Sequence, residues 1–228
     1  MKSVGIVGGL GPETTAEFYL ELIKKFRNNG DSYPSIIIDN VPFPFHLERD
    51  IIQNSVNEGR LLPFLKESIK RLNYSRVDFI AIPCNTVHIF IDELRKESRA
   101  PILSIIDETI SAVKENNLEK VGLLATAKTI ESKLYEIPVE NNGIKVILPE
   151  KDEQEEISRI IVQILENRVS DDDINTMEAV IRNLKGRGSE AIVLGCTDLQ
   201  LVLKNDFGVQ IIDSMEILLE SVYHQMNH

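Results

Sequence analysis

A chain of 228 residues with a net charge of −11 and 43% apolar content is an ordinary globular sequence, long enough for one large or two small cores. The acidic balance argues against nucleic-acid and anionic-membrane partners, both of which need basic patches. Two cysteines, a start without signal-peptide character and no apolar run of about 18 residues point to a reducing, cytoplasmic setting, in which a Cys84–Cys196 disulfide is disfavoured.

Val4-Gly5-Ile6-Val7 reads as a first strand, ending in Gly8-Gly9-Leu10-Gly11-Pro12. Pro12 suits the first turn of a helix and Glu13 complements its dipole. Ala16, Tyr19, Leu20, Ile23 and Phe26 supply the helical period. The loop fits neither the G-x-G-x-x-G fingerprint nor a P-loop. It is either a tight turn or, around Gly9, a set of N–H groups lining an anion site. Ile36-Ile37-Ile38 is a second strand. Residues 39–46 form a proline-stiffened loop expected beside the site, with His46 and Arg49 as polar candidates or as plain solvated side chains. A helix over 59–73 leads to a strand over 77–82, then Pro83-Cys84-Asn85-Thr86 and a helix over 85–96. A strand over 101–106 and a helix over 107–116 follow.

The second half repeats this order. A strand begins at Val121 and another covers 144–148; the acidic run 150–156 is a solvated helix start. Helices are expected over 157–166 and 174–184. The apolar run 190–194 enters Gly195-Cys196-Thr197-Asp198, with a helix over 197–205, a strand over 209–213 and a closing helix over 215–225.

Three blocks recur in the same order at nearly the same spacing: Val4-Gly5-Ile6-Val7-Gly8-Gly9 with Val121-Gly122-Leu123-Leu124-Ala125-Thr126, the two cysteine stretches, and Ile105-Ile106-Asp107 with Ile211-Ile212-Asp213. The repeat predicts two pseudo-symmetric α/β lobes, each a parallel sheet flanked by helices, with the active site in the cleft between them. Residues 1–105 with 209–228 are expected to form a discontinuous first lobe, and 106–208 the second. Either cysteine alone could be a small core hydrophobe. As a pair, each falls where a strand ends and a helix begins, where free N–H groups and the dipole favour a thiolate.

Two thiols on opposite sides of a bound carbon can divide the work of racemisation. One thiolate removes a proton and the opposing thiol returns one to the other face. A reference thiol pKa of about 8.5 allows one to be ionised while the other is not. Donors at the two helix starts, with Asn85, Thr86 and Thr197, would stabilise the charge that develops on the carboxylate. No Lys stands in a pyridoxal motif, so neither cofactor nor metal is expected.

Gly8-Gly9-Leu10-Gly11-Pro12, Pro83-Cys84-Asn85-Thr86-Val87-His88, Gly122-Leu123-Leu124-Ala125-Thr126 and Gly195-Cys196-Thr197-Asp198 together resemble the aspartate/glutamate racemase family, in particular its pyridoxal-independent aspartate racemases. The resemblance implies a cleft active site, frequent homodimers, and Cys84 and Cys196 as catalytic bases. It places Asn85, Thr86, Thr126 and Thr197 around the substrate's α-carboxylate and amino group. Two departures stand out. Where aspartate racemases carry an Arg and a Lys for the side-chain carboxylate, this chain aligns His46 and Glu166, with Arg49 and Lys128 as substitutes. Asp198 occupies a position that is often Glu. The expected substrate is aspartate, then glutamate or a less acidic amino acid. Related isomerases and decarboxylases acting on maleate, malonates or hydantoins, or a non-catalytic amino-acid-binding protein, are the alternatives.

Overall fold

Continuous apolar runs such as Val4-Gly5-Ile6-Val7-Gly8 suit strands buried on both faces, and here they build parallel sheets. The structure, a computed structural model, describes residues 1–203 and 207–228. In the first sheet β1 (Val4–Gly8), β2 (Ile36–Asn40), β3 (Phe79–Ala81) and β4 (Ile102–Leu103) lie in the order β2-β1-β3-β4. In the second, β5 (Lys120–Ala125), β6 (Lys145–Ile147), β7 (Ala191–Gly195) and β8 (Gln210–Asp213) lie in the order β6-β5-β7-β8. Every pairing is parallel. The two sheets therefore repeat one topology, as the sequence repeat predicts.

The helices of the first half are α1 (Pro12–Asn28), α2 (Phe45–Asn54), α3 (Leu62–Ser75), α4 (Ile91–Glu97) and α5 (Ile105–Glu115). Those of the second are α6 (Ala127–Glu131), α7 (Glu136–Glu140), α8 (Lys151–Leu165), α9 (Asp171–Gly186) and α10 (Ser214–Asn227). The acidic run does start a helix. Glu150 and Glu153 form a reciprocal capping box on α8, and Ser170 and Asp173 do the same on α9. None of the described helices is long and apolar enough to cross a membrane.

Four expectations need correction. First, α1 turns a different face inward: Phe18, Leu22 and Phe26 are buried, while Tyr19 and Leu20 are exposed. Both stripes have helical spacing, and the one carrying two phenylalanines takes the core. Second, the proline-stiffened loop gives way at Pro44 to α2, a helix the sequence reading left out. Third, the strand expected over 101–106 is two residues long, because Ser104 caps α5 by accepting the Asp107 N–H. Fourth, β8 pairs with β7, so the strand over 209–213 belongs to the second sheet, not to the first lobe. The helix after it, α10, does cross over to pack on α1, and on α5 between the lobes. One core cluster runs through both sheets, from Ile6 and Phe79 through Ile106 and Leu218 to Leu123 and Val193.

The segments after the cysteines are also shorter than expected. Thr86–Phe90 winds as a 3-10 turn before α4, and Leu199–Leu201 is a 3-10 turn followed, among the described residues, by β8 before the next helix. The end of the helix expected over 197–205 lies outside the described residues. Their i→i+3 bonds, His88 N–H to Asn85 carbonyl and Leu201 N–H to Asp198 carbonyl, replace the α pattern. The β-branched Thr86-Val87 start disfavours the wider coil.

Candidate active site

The C-terminal ends of β3 and β7 face each other, and a cavity of about 50 Å³ lies between them. Cys84, half-buried, follows β3; Cys196, buried, follows β7. Both line the cavity with Asn85, Thr86, Thr126, Thr197 and Asp198. Each cysteine stretch is tied to the opposite lobe. Asn85 donates from Nδ2 to Ser214 Oγ at 3.0 Å and accepts from Tyr135 Oη. Thr86 Oγ1 lies 3.0 Å from Thr126 Oγ1 and 3.1 Å from Thr129 Oγ1. From the other side, Thr197 Oγ1 donates to the Pro83 carbonyl at 3.3 Å, and Asp198 accepts from Thr14 Oγ1. Thr86 and Asp198 each stand two residues after a cysteine, and each meets a threonine in the first turn of the facing helix. The repeat thus reaches the contacts themselves.

The glycine loop allows this approach. Gly11 has φ +74, and a Cβ on it would stand 2.6 Å from Asp198 Oδ1. Gly9 is placed differently from the expectation. Its N–H donates to Thr15 Oγ1, and the residue lines an outer groove beside the cavity. The tight-turn reading describes it.

Electrostatics also depart from the expectation. Burial pushes the Cys84 thiol up to about 12, although the Val87 and Thr86 N–H groups pull the other way. Burial and the charge of Asp198 raise Cys196 well above its ordinary value. A single 3-10 turn carries little dipole, and desolvation beside carboxylates outweighs it. Both shifts favour the thiol over the thiolate. Asp198 is itself pushed up to about 6 by burial, against hydrogen bonds from Thr14 and from Cys196 Sγ, 3.7 Å away. His88, buried and held down to about 4 by desolvation, is neutral, and its Nδ1 lies 2.8 Å from the Cys84 carbonyl. No cluster of three His, Cys, Asp or Glu side chains fit to hold a metal ion occurs among the described residues.

Residues 7–222 match the Asp/Glu/Hydantoin racemase family. The chain belongs to that family. It is similar to the broad specificity amino-acid racemase RacX of Bacillus subtilis (strain 168), 28% identical over 225 residues that cover 96% of this chain and 95% of the relative. An aspartate racemase homologue from Pyrococcus horikoshii OT3 is 30% identical with a TM-score of 0.79, each chain covered in full. The Picrophilus torridus aspartate racemase, 24% identical, shares the fold at a TM-score of 0.81, with 100% of this chain and 95% of that one covered. As a member of the Asp/Glu/Hydantoin racemase family the chain is an enzyme of the isomerase class.

Within this racemase fold the expected side-chain anchors lie elsewhere. His46 is exposed at the start of α2. Arg49 pairs with Glu166 at the end of α8, and Lys128 Nζ pairs with Glu58 at 2.6 Å. These two bridges clasp residues 45–60 of one half to the other, and neither cation lines the cavity. Arg49→Ala and Lys128→Ala should each change turnover by no more than about fivefold, since both side chains are engaged in ion pairs outside the cavity lining. Steady-state kinetics on both variants checks this, and a hundredfold loss would restore them as anchors.

Sequence reasoning missed Glu48, Tyr135, Thr14 and the apolar wall of Leu10, Phe43, Ile51, Ile52 and Leu61. The spacing of Leu47 and Ile51, one helical turn apart after Pro44, was the available signal for α2 and hence for Glu48. Nothing in the sequence around Tyr135 distinguishes it from a core residue.

Proposed function

We propose that this chain is a cofactor-independent amino-acid racemase in which Cys84 and Cys196 serve as opposed acid and base on the substrate's α-carbon. The observation that carries the reading is that the two thiols enter one cavity from opposite lobes. One sulfur, as thiolate, takes the α-proton, and the electron pair left on carbon spreads into the carboxylate. The other sulfur then gives its proton to the opposite face. Proton and charge balance, and the enzyme is left with the two sulfurs' roles exchanged. The next turnover in the same direction requires both to re-equilibrate with solvent.

The donors around the sulfurs, the second hydrogen of the Asn85 amide and the hydroxyls of Thr86 and Thr126, suit the developing carboxylate charge in a desolvated site. No cation stands among the described lining residues, so a second carboxylate on the substrate has no partner there. The reading therefore moves from aspartate to an amino acid without an acidic side chain. The name of the Bacillus subtilis relative, a broad specificity amino-acid racemase, favours the same direction.

The test is incubation of the protein with acidic, neutral and basic L-amino acids, followed by chiral chromatography. Appearance of the D-enantiomer from at least one non-acidic amino acid is expected. Inversion of aspartate or glutamate alone overturns the substrate part of the reading, and inversion of none overturns the whole.

A further inference from the structure

Glu48, Ile51 and Ile52 stand at i, i+3 and i+4 on α2 and so share the face that closes the cavity. Of the two carboxylates in the lining, Asp198 is taken up at the reacting end, where Thr14 and Cys196 donate to it. Glu48 is not taken up in this way: the Gly11 N–H bonds it within the field of Asp198 and Cys84, and Ile51, Ile52, Leu61 and Phe43 share the lining with it. It also lines a groove of about 340 Å³ that runs out past Gly9, Pro12, Asn40 and Phe43, and whose other charged residue is Glu13. Ligand pockets usually span roughly 300–1,000 Å³. The cavity is much smaller than that, and Glu48 and Phe43 line both it and the groove, so a side chain that leaves the cavity by the groove passes Glu48.

We propose that Glu48 selects the substrate's side chain, and that this side chain carries a positive charge on an aliphatic stem. The inference rests on the racemase reading and names its substrate class. An aliphatic stem matches the isoleucine, leucine and phenylalanine wall, where its methylenes leave water. A terminal ammonium or guanidinium meets Glu48, with Glu13 in the groove beyond adding to the same field. A side-chain carboxylate would bring a third negative charge to a desolvated place that already holds two, with Arg49 and Lys128 committed to their own partners. The protein's own surroundings are poorly disposed to Glu48's charge. Burial, with Asp198 adding, pushes its carboxyl up to about 7 against the Gly11 N–H. A bound cation removes that penalty, which a neutral side chain cannot do.

The experiment measures kcat/KM of the intact protein for L-lysine, for its uncharged isostere L-norleucine and for L-aspartate, in the wild type and in Glu48→Gln. In the wild type, lysine should exceed norleucine at least tenfold and aspartate should be the poorest of the three. Glu48→Gln keeps the shape and should lower the lysine-to-norleucine ratio at least tenfold, mostly through KM for lysine. A merely structural role would lower both substrates together and leave the ratio alone. Equal use of lysine and norleucine by the wild type overturns the inference, as does an unchanged ratio in the variant or a preference for aspartate. The wild-type comparison stands even if the variant folds poorly. Inversion of norleucine with no preference for lysine sinks only the assignment of Glu48; inversion of none of the three sinks the racemase reading and this inference with it.

Discussion

Cys84→Ser and Cys196→Ser should each lower racemisation by at least about 10³-fold, since a general acid–base group contributes roughly 10²–10⁴-fold and a serine hydroxyl is a far weaker base than a thiolate. The informative part is what survives. Each sulfur faces one side of the α-carbon, so the remaining cysteine can still remove the proton from the enantiomer that presents it. Each variant should therefore exchange the α-proton of one enantiomer with solvent deuterium, and the two variants should prefer opposite hands. The asymmetry cannot appear in kcat/KM for inversion. The two enantiomers are equally stable, so forward and reverse kcat/KM stay equal in any variant. NMR of α-deuterium incorporation reads it directly. Full racemisation by either variant, or exchange of the same enantiomer by both, contradicts the assignment.

Asp198→Asn should be nearly as damaging, with kcat/KM down about 10²–10⁴-fold for both directions alike. Burial favours the thiol form of both cysteines, so a base must take the first proton, and Asp198 Oδ2 lies 3.7 Å from Cys196 Sγ. Asparagine keeps the oxygen that Thr14 Oγ1 bonds but has no affinity for a proton. The sign of the pH dependence follows. Burial pushes Asp198 up to about 6, so it is protonated and inert as a base below that pH and ionised above it. Wild-type kcat/KM should rise with pH through about 6, and that limb should be missing from the variant. A variant within fivefold of wild type would mean that another group ionises Cys196.

The fold was legible largely because of the repeat. Strands ending in the Gly8-Gly9 loop and in Thr126, and strands delivering Cys84 and Cys196, fix the centre of both sheets, and apolar runs are a local signal. What failed depends on distant partners. Nothing within 209–213 says which sheet its strand will join, and the choice between Tyr19-Leu20 and Phe18-Leu22 as the inner face of α1 is made by the core it meets. The same holds in the site. The two cysteines and the Asn85, Thr86, Thr126, Thr197 and Asp198 set come together as the motifs implied. Arg49 and Lys128 looked available in sequence but are drawn to Glu166 and Glu58, both remote along the chain. The expectation of a thiolate rested on helix-start geometry, which is local, while the burial that raises both thiols comes from the whole cleft.

Isotope content at early times puts the opposed pair of thiols to the most direct test. Wild-type protein is given one protiated enantiomer in D₂O, and the reaction is stopped at a few per cent conversion. With two bases, the sulfur that takes the proton is not the one that delivers to the product. The new enantiomer should then carry deuterium at the α-carbon in full, while the recovered substrate remains protiated. Substantial protium in the product, or deuterium entering the substrate pool as fast as the product forms, would show one base serving both faces and would contradict the account.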